Sequence, residues 1–269
     1  RLGHRITVAA ADPLAIAGVS RYAGDCLTVP VVADEAEAYV RWIAEVCAER
    51  GIEHIYWATT ASALALDRFR DLLDPDLLRD LPSREAVELA ANKAETARLA
   101  RSVGVLAPQT WVFDDPAALE DGLADMPMPC VVKPRYTAVV QGPRIVECGR
   151  HDFARDGDEL RRAYGRLHQI FPAPMIQEYI PGYGFGVFLL MDRGEPVAAF
   201  AHRRVREADP IGSGSSFRVS TELPEDAFAQ AATLLRAMGW HGVAMVEFRR
   251  DARDGAPRVI EVNGRFWFS

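Results

Sequence analysis

Val243-Ala244-Met245-Val246-Glu247-Phe248 and Arg258-Val259-Ile260-Glu261-Val262-Asn263 are two alternating, β-branched-rich segments separated by a turn that contains Asp254-Gly255. That combination is a strong β-hairpin signal. A register centred on the turn places Glu247 opposite Glu261. Period-2 alternation then sends Glu247, Glu261 and Asn263 to one face, and Val246, Phe248, Ile260 and Val262 to the other. Like charges directly opposite on a sheet repel, so the arrangement makes sense chiefly if a cation lies between them. Carboxylate and amide oxygens are the hard donors that Mg²⁺ prefers, with phosphates completing its shell. The competing reading is an exposed face whose carboxylates pair with Arg249 or Arg258.

Upstream of the hairpin, the last third reads as strand-rich: Met175 to Ile180, Phe185 to Met191 and Pro196 to His202, then a helix from Glu225 to Met238. Hairpins rather than crossovers predict α+β here. Before it, Asn92 and Glu95 read as an N-cap and capping-box partner. They open a helix that runs to Ser102 and ends at Gly104, with Lys93 in its first turn. A strand follows at Gln109 to Phe113, a helix at Pro116 to Leu123, the strand Cys130 to Lys133, a loop through Pro134 and Gly142, and a helix from about Asp158 to Gln169. Residues 5 to 80 alternate strand and helix instead: strands at Ile6 to Ala10, Leu27 to Pro30 and Ile52 to Trp57, helices at Glu35 to Glu49 and Ala61 to Leu73. Such alternation predicts a parallel α/β layer. The Pro-bearing stretch from Asp74 to Ser83 marks a domain boundary.

Of 31 basic residues only Lys93 and Lys133 are lysine, so arginine serves wherever a solvated positive charge suffices. A compact ammonium follows a phosphate as a point charge, whereas a guanidinium fork imposes its own geometry. Both lysines sit at element ends from which a side chain can be aimed into a cleft; the competing reading is chance.

A net charge of -7 argues against a nucleic-acid or anionic-membrane surface, and no apolar run approaches the ~20 residues of a membrane span. Cys26, Cys47, Cys130 and Cys148 are widely spaced and read as free thiols, and the six histidines form no local zinc signature. Free thiols and the lack of a visible signal peptide suit the cytoplasm. The chain opens at Arg1 within a strand–loop unit and stops just after Phe266-Trp267, so both ends read as truncated.

Together, Asn92-Lys93, Val131-Val132-Lys133-Pro134, Ile176-Gln177-Glu178-Tyr179-Ile180-Pro181-Gly182, Val246-Glu247-Phe248 and Glu261-Val262-Asn263-Gly264-Arg265 resemble the ATP-grasp superfamily. All five stand in the family's order over residues 84–269. His202-Arg203-Arg204 and the loop Ile211-Gly212-Ser213-Gly214-Ser215-Ser216 are most similar to its carbamoyl-phosphate-synthase-like and D-aspartate-ligase-like branch. The resemblance implies a truncated, Rossmann-like pre-ATP-grasp α/β domain over 1–83, lacking its first strand and helix, and a two-lobed ATP-grasp domain over 84–269 with lobes at about 84–175 and 176–269. It implies that Lys93 and Lys133 contact ATP phosphates and that Gln177, Glu178, Tyr179 and Ile180 form the hinge that reads adenine. Glu247, Glu261 and Asn263 become ligands of Mg²⁺, two ions in all, and Arg265, Lys133 and Arg204 become the catalytic cations. The implied activity is ATP-dependent ligation of a small-molecule carboxylate and an amine through an acyl phosphate, in an enzyme able to form a homodimer. A kinase acting on a hydroxyl and a non-catalytic nucleotide-binding module are the alternatives. This sequence departs from many relatives in having Arg135 to Val140 where they carry a glycine-rich loop, and Tyr183-Gly184-Phe185-Gly186 where they place a ribose-binding acid.

Overall fold

The computed structural model describes residues 3–149, 151–209 and 213–267. In chain order the elements are β1 (Thr7–Ala10), β2 (Asp25–Thr28), α1 (Ala36–Arg50), α2 (Thr60–Arg68), α3 (Arg84–Ala91), α4 (Lys93–Ser102), β3 (Thr110–Val112), α5 (Pro116–Gly122), β4 (Cys130–Lys133), β5 (Ala138–Gln141), β6 (Arg144–Glu147), β7 (Asp152–Ala154), α6 (Gly157–Ile170), β8 (Met175–Glu178), β9 (Gly182–Asp192), β10 (Glu195–Asp209), β11 (Ser213–Thr221), α7 (Glu225–Ala237), β12 (Gly242–Asp251) and β13 (Pro257–Asn263). They fall into two compact units, one of residues up to Ile55 with 64–79 and 140–146, the other of 56–63, 80–139 and 147 onward.

In the first unit β1 and β2 pair in parallel. Helix α1 buries Ala36, Val40, Ile43 and Cys47, one stripe at helical spacing, and closes on Gly51 in the left-handed conformation. The expected strand from Ile52 to Trp57 does not form: those residues run as irregular chain, with the Ile55 N–H donating to the Leu77 carbonyl. Three apolar residues at positions 52, 55 and 57 do not make a strand without a neighbour to complete a ladder.

The second unit holds two antiparallel sheets. One has the order β3-β8-β4-β7, and its core joins Val132 and Ile176 to Leu119 of α5 and Leu160, Tyr164 and Leu167 of α6. The other has the order β11-β10-β9-β12-β13. One face of it packs Val187, Leu189, Ala244, Val246 and Phe248 against Ala231, Leu234 and Leu235 of α7 and small residues of α3 and α4. Two segments read as loops are strands. Residues 134–142 contain β5, which turns at Gly142 (φ +60°) into β6, and the serine-rich stretch from Ser213 is β11, laddered onto the long β10. Arg150, Ile211 and Gly212 lie outside the described residues. Among the described residues no helix is long and apolar enough to cross a membrane, and the four cysteines are free thiols.

Candidate active site

The hairpin β12–β13 forms in the expected register, with Glu247 opposite Glu261 and Met245 opposite Asn263. A bulge follows immediately: Phe248 pairs with Val259, not Ile260. Val259 therefore takes the core position, and Ile260, expected in the core, lines the pocket. An extra residue re-aims the side chains beyond it, which period-2 reasoning cannot anticipate.

Register continues across the sheet, because Glu247 lies beside Gly186 of β9 and Gly186 beside His202 of β10. The glycines of β9 have a definite use. A Cβ at Gly184 would sit 2.9 Å from Arg204 Cδ, and one at Gly186 3.2 Å from His202 Nε2. With no side chain in the way, Arg204 crosses above β9 and donates to Glu247 Oε2 at 2.5 Å.

Across the pocket the second carboxylate has its own cations. Lys93 Nζ lies 3.3 Å from Glu261 Oε2, and Asn263 Nδ2 donates to Glu261 Oε1 at 3.1 Å. Helix α4 aims Lys93 because Asn92 caps it, accepting from the Glu95 N–H, while the Lys93 N–H donates to the Arg135 carbonyl. The reciprocal half of the expected capping box is not made: the Glu95 carboxylate pairs with Arg98. Lys133 ends β4 and faces the same carboxylates.

Burial and the neighbouring Lys93 bring the Lys133 ammonium down to about 8, against the pull of Glu261 and Glu247. Burial would raise Glu261, but Lys93 and Lys133 outweigh it and hold that carboxyl at about 2. Glu247 is raised, by burial and by Glu261, despite the opposing pull of Arg204. Arg265 donates to Asn263 Oδ1 at 3.4 Å and to Thr60 Oγ1 at 3.2 Å. Neither Arg249 nor Arg258 meets the facing glutamates as the competing reading required: Arg249 pairs with Glu207, Arg258 with Asp251 and Asp254.

At the β8 end, Gln177 is buried and donates to Thr110 Oγ1, and Glu178 accepts from Arg253 and from the Gln109 N–H. The Ile180 carbonyl accepts from Arg249 Nε at 2.8 Å. All eleven residues singled out by the motifs line one pocket of about 340 Å³: Lys93, Lys133, Gln177, Glu178, Tyr179, Ile180, Arg204, Glu247, Glu261, Asn263 and Arg265. Sequence reasoning did not find Arg218, Met245 and Trp267, which line it too. Arg218 reaches the site through its register with Arg204, a pairing that exists only once β11 is recognised as a strand.

A family model described as an ATP-grasp domain matches residues 90–269. The chain belongs to the ATP-grasp family. This ATP-grasp chain is 28% identical over 189 residues to the carbamoyl phosphate synthase large chain of Methanoregula boonei, an overlap covering 67% of it but only 17% of that protein. Its fold matches L-amino acid ligase from Bacillus licheniformis (TM-score 0.68, 20% identity, 98% of this chain and 62% of the other). It also matches N5-carboxyaminoimidazole ribonucleotide synthetase from Thermus thermophilus (TM-score 0.69, 18% identity, 98% and 66%). A third match is the biotin carboxylase domain of Hydrogenobacter thermophilus 2-oxoglutarate carboxylase, solved with its magnesium–ADP complex (TM-score 0.66, 16% identity, 98% and 65%). At these identities the structural likeness is one of fold.

Proposed function

We propose that this chain is the core of an ATP-dependent ligase that joins a small carboxylic acid to an amine, releasing ADP and phosphate. The observation that carries the reading is the facing pair Glu247 and Glu261, ringed by Lys93, Lys133, Arg204 and Arg265 in one pocket. A nucleotide-binding module has no need of arginines gathered around opposed carboxylates; a phosphoryl-transfer site does.

The donor set fits magnesium: two carboxylates and the Asn263 amide are hard oxygen donors, and Glu261 is held ionised at neutral pH. Among the described residues no group of three or more His, Cys, Asp and Glu competes for a metal ion. Glu247, Glu261 and Asn263 would hold up to two ions, whose chemistry is to neutralise phosphate charge. Lys133 and Lys93 would meet the ATP phosphates, and the Gln177–Ile180 segment would meet the adenine through its backbone. Arg265 and Arg204 would hold the carboxylate and the transferring phosphoryl group. A carboxylate oxygen attacks the γ-phosphorus and ADP leaves; the amine then attacks the acyl carbon, phosphate leaves, and the amine proton passes to solvent. Catalysis of this kind is mainly positioning and charge neutralisation. Residues 1–83 are read as the pre-ATP-grasp domain, and 84–175 and 176–269 as the two ATP-grasp lobes.

Hydroxylamine, a small strong nucleophile, should trap the acyl phosphate as a hydroxamate when ATP, magnesium and the right acid are present, and ¹⁸O in that acid should appear in the released phosphate. AMP and pyrophosphate instead would mean an acyl adenylate and overturn this mechanism, whereas ADP with a phosphorylated alcohol would make the chain a kinase.

A further inference from the structure

One pleat repeat along the sheet from the carboxylates, the pocket face changes character. Phe200, Phe188, Met245 and Asn263 stand in register across β10, β9, β12 and β13. Phe188 and Phe200 stack at 4.3 Å between ring centroids and 6° between planes. Trp267 lies against them, 4.1 Å from Phe188 and 5.5 Å from Phe200, and the His202 ring meets Phe188 at 4.7 Å. Phe188 is thereby only 1% exposed, and Trp267, Met245 and His202 are the surfaces this cluster presents to the pocket.

Trp267 is held in place by what precedes it. Trp57 Nε1 donates to the Gly264 carbonyl at 2.7 Å, the Phe266 N–H donates to the Trp57 carbonyl, and Tyr56 packs edge-on against Phe266. Gly264 itself has no room for a side chain, since a Cβ there would lie 2.4 Å from the Trp240 ring. The anchored Gly264 and Phe266 thus deliver the indole to the pocket. Beside it Arg265 is tied to Asn263, so a cation stands at the rim of an aromatic and thioether wall. Burial, with Arg204 and Arg218 nearby, brings His202 down to about 4, so at neutral pH that wall carries no charge.

We infer that the acid used by this enzyme has an apolar, preferably aromatic, side chain, which lies against Trp267 and Met245 while its carboxylate faces Arg265. The inference rests on the ligase reading for the identity of the carboxylate. Planar rings prefer offset or edge contact with one another. A second carboxylate placed against the Trp267 ring and the Met245 thioether would lose water and gain no cation from either. The polarity of the acid's side chain, more than its length, is therefore the feature selected.

The test measures binding separately from turnover. Equilibrium binding of 3-phenylpropionate, phenylalanine, leucine, succinate and aspartate to the whole chain with magnesium and ADP should rank the aromatic acids at least about tenfold tighter than the dicarboxylic ones. Trp267→Ala should erase that ranking and Trp267→Phe keep most of it, with magnesium–ADP binding unchanged in both as the check on folding. Equal binding, a preference for succinate or aspartate, or no binding of any acid by the unaltered protein overturns the subsite, whatever the variants do. A ranking that holds while no acid supports ADP release leaves the subsite standing and sinks the ligase reading instead.

Discussion

Strand β12 carries two acids four residues apart, Glu247 and Asp251, and the two ends of its hairpin treat them in opposite ways. Asp251 is fully buried and enclosed: Arg253 Nη2 lies at 2.6 Å, Arg258 Nε at 2.7 Å, and the Arg253 N–H donates to it at 2.9 Å. Hydrogen bonds from Arg253, then Arg258, outweigh burial and hold its carboxyl far below the usual range. Glu247 is only partly buried on the pocket wall; one arginine reaches it from another strand and a second carboxylate faces it, and desolvation, then Glu261, raise its carboxyl above the usual range. The first end has the electrostatics of an acid kept for the fold. The second gathers two opposed carboxylates and their separate cations around a pocket, an arrangement that the fold does not require and that calls for a use outside it.

The contrast breaks most directly at Glu261. Glu261→Ala is expected to lower ADP release by at least a factor of about 10² while circular dichroism and the melting transition stay near those of the parent. Parental turnover in the folded variant at ordinary magnesium would make both ends of the hairpin structural.

At the opposite end the effect should fall on stability. Asp251→Asn is expected to lose about 2–3 kcal/mol in urea unfolding, less than a fully enclosed pair would because Arg253 is half-exposed, with activity per folded molecule unchanged. An unfolding midpoint that did not move would remove Asp251 from the fold's electrostatics.

Acid titration separates the contributions further. The Asp251 carboxyl is depressed in the fold, so its stabilisation is present above the unfolded value of about 3.9 and lost as pH falls below it. His202 is also depressed, from about 6.5 to about 4. The unfolded chain therefore takes up that proton first, and stability falls as pH drops across this window, levelling beneath it. Urea midpoints followed from pH 7 to pH 3 should lose the upper limb in His202→Gln, and Asp251→Asn should shallow the lower one, to which the depressed Glu261 also contributes; an upper limb that survives, or a lower limb left undiminished, belongs to other groups.

The smallest expected effect is the conservative one. Lys133→Arg should weaken ATP use by about tenfold, because a planar fork replaces a point charge in a confined position. Arg150→Lys, on a residue outside the described structure, should change little. Equal indifference in steady-state kinetics would refute the argument from lysine scarcity.

What was legible in the sequence was local. The Asp254-Gly255 turn sets the Glu247–Glu261 register from within about twenty residues, and the Asn92 cap fixes where Lys93 starts its helix. What was not legible depends on distant partners. Gly214 through Ser216 reads as loop and is strand because β10 runs on long enough to pair with it. Arg218 becomes a pocket residue by the same pairing. Arg204 reaches Glu247 through space left by Gly184 on the strand between them, and the bulge at Ile260 turns a core residue outward. Nor did the pattern between Pro134 and Gly142 separate a hairpin from a loop, since both carry the same turn glycine.

Gly184 and Gly186 have a consequence for how such a site is mapped. Scanning a pocket by truncating side chains to alanine asks what each residue contributes by being large, and it passes over glycine or scores it as a harmless addition. On β9 the sense is reversed: the methyl group is the perturbation, because the missing side chain at Gly184 leaves the room that a neighbouring strand's arginine takes on its way to a third strand, and the one at Gly186 leaves room for His202 and Phe188. A map drawn by deletion alone would record Arg204 and Glu247 as important and leave blank the strand between them.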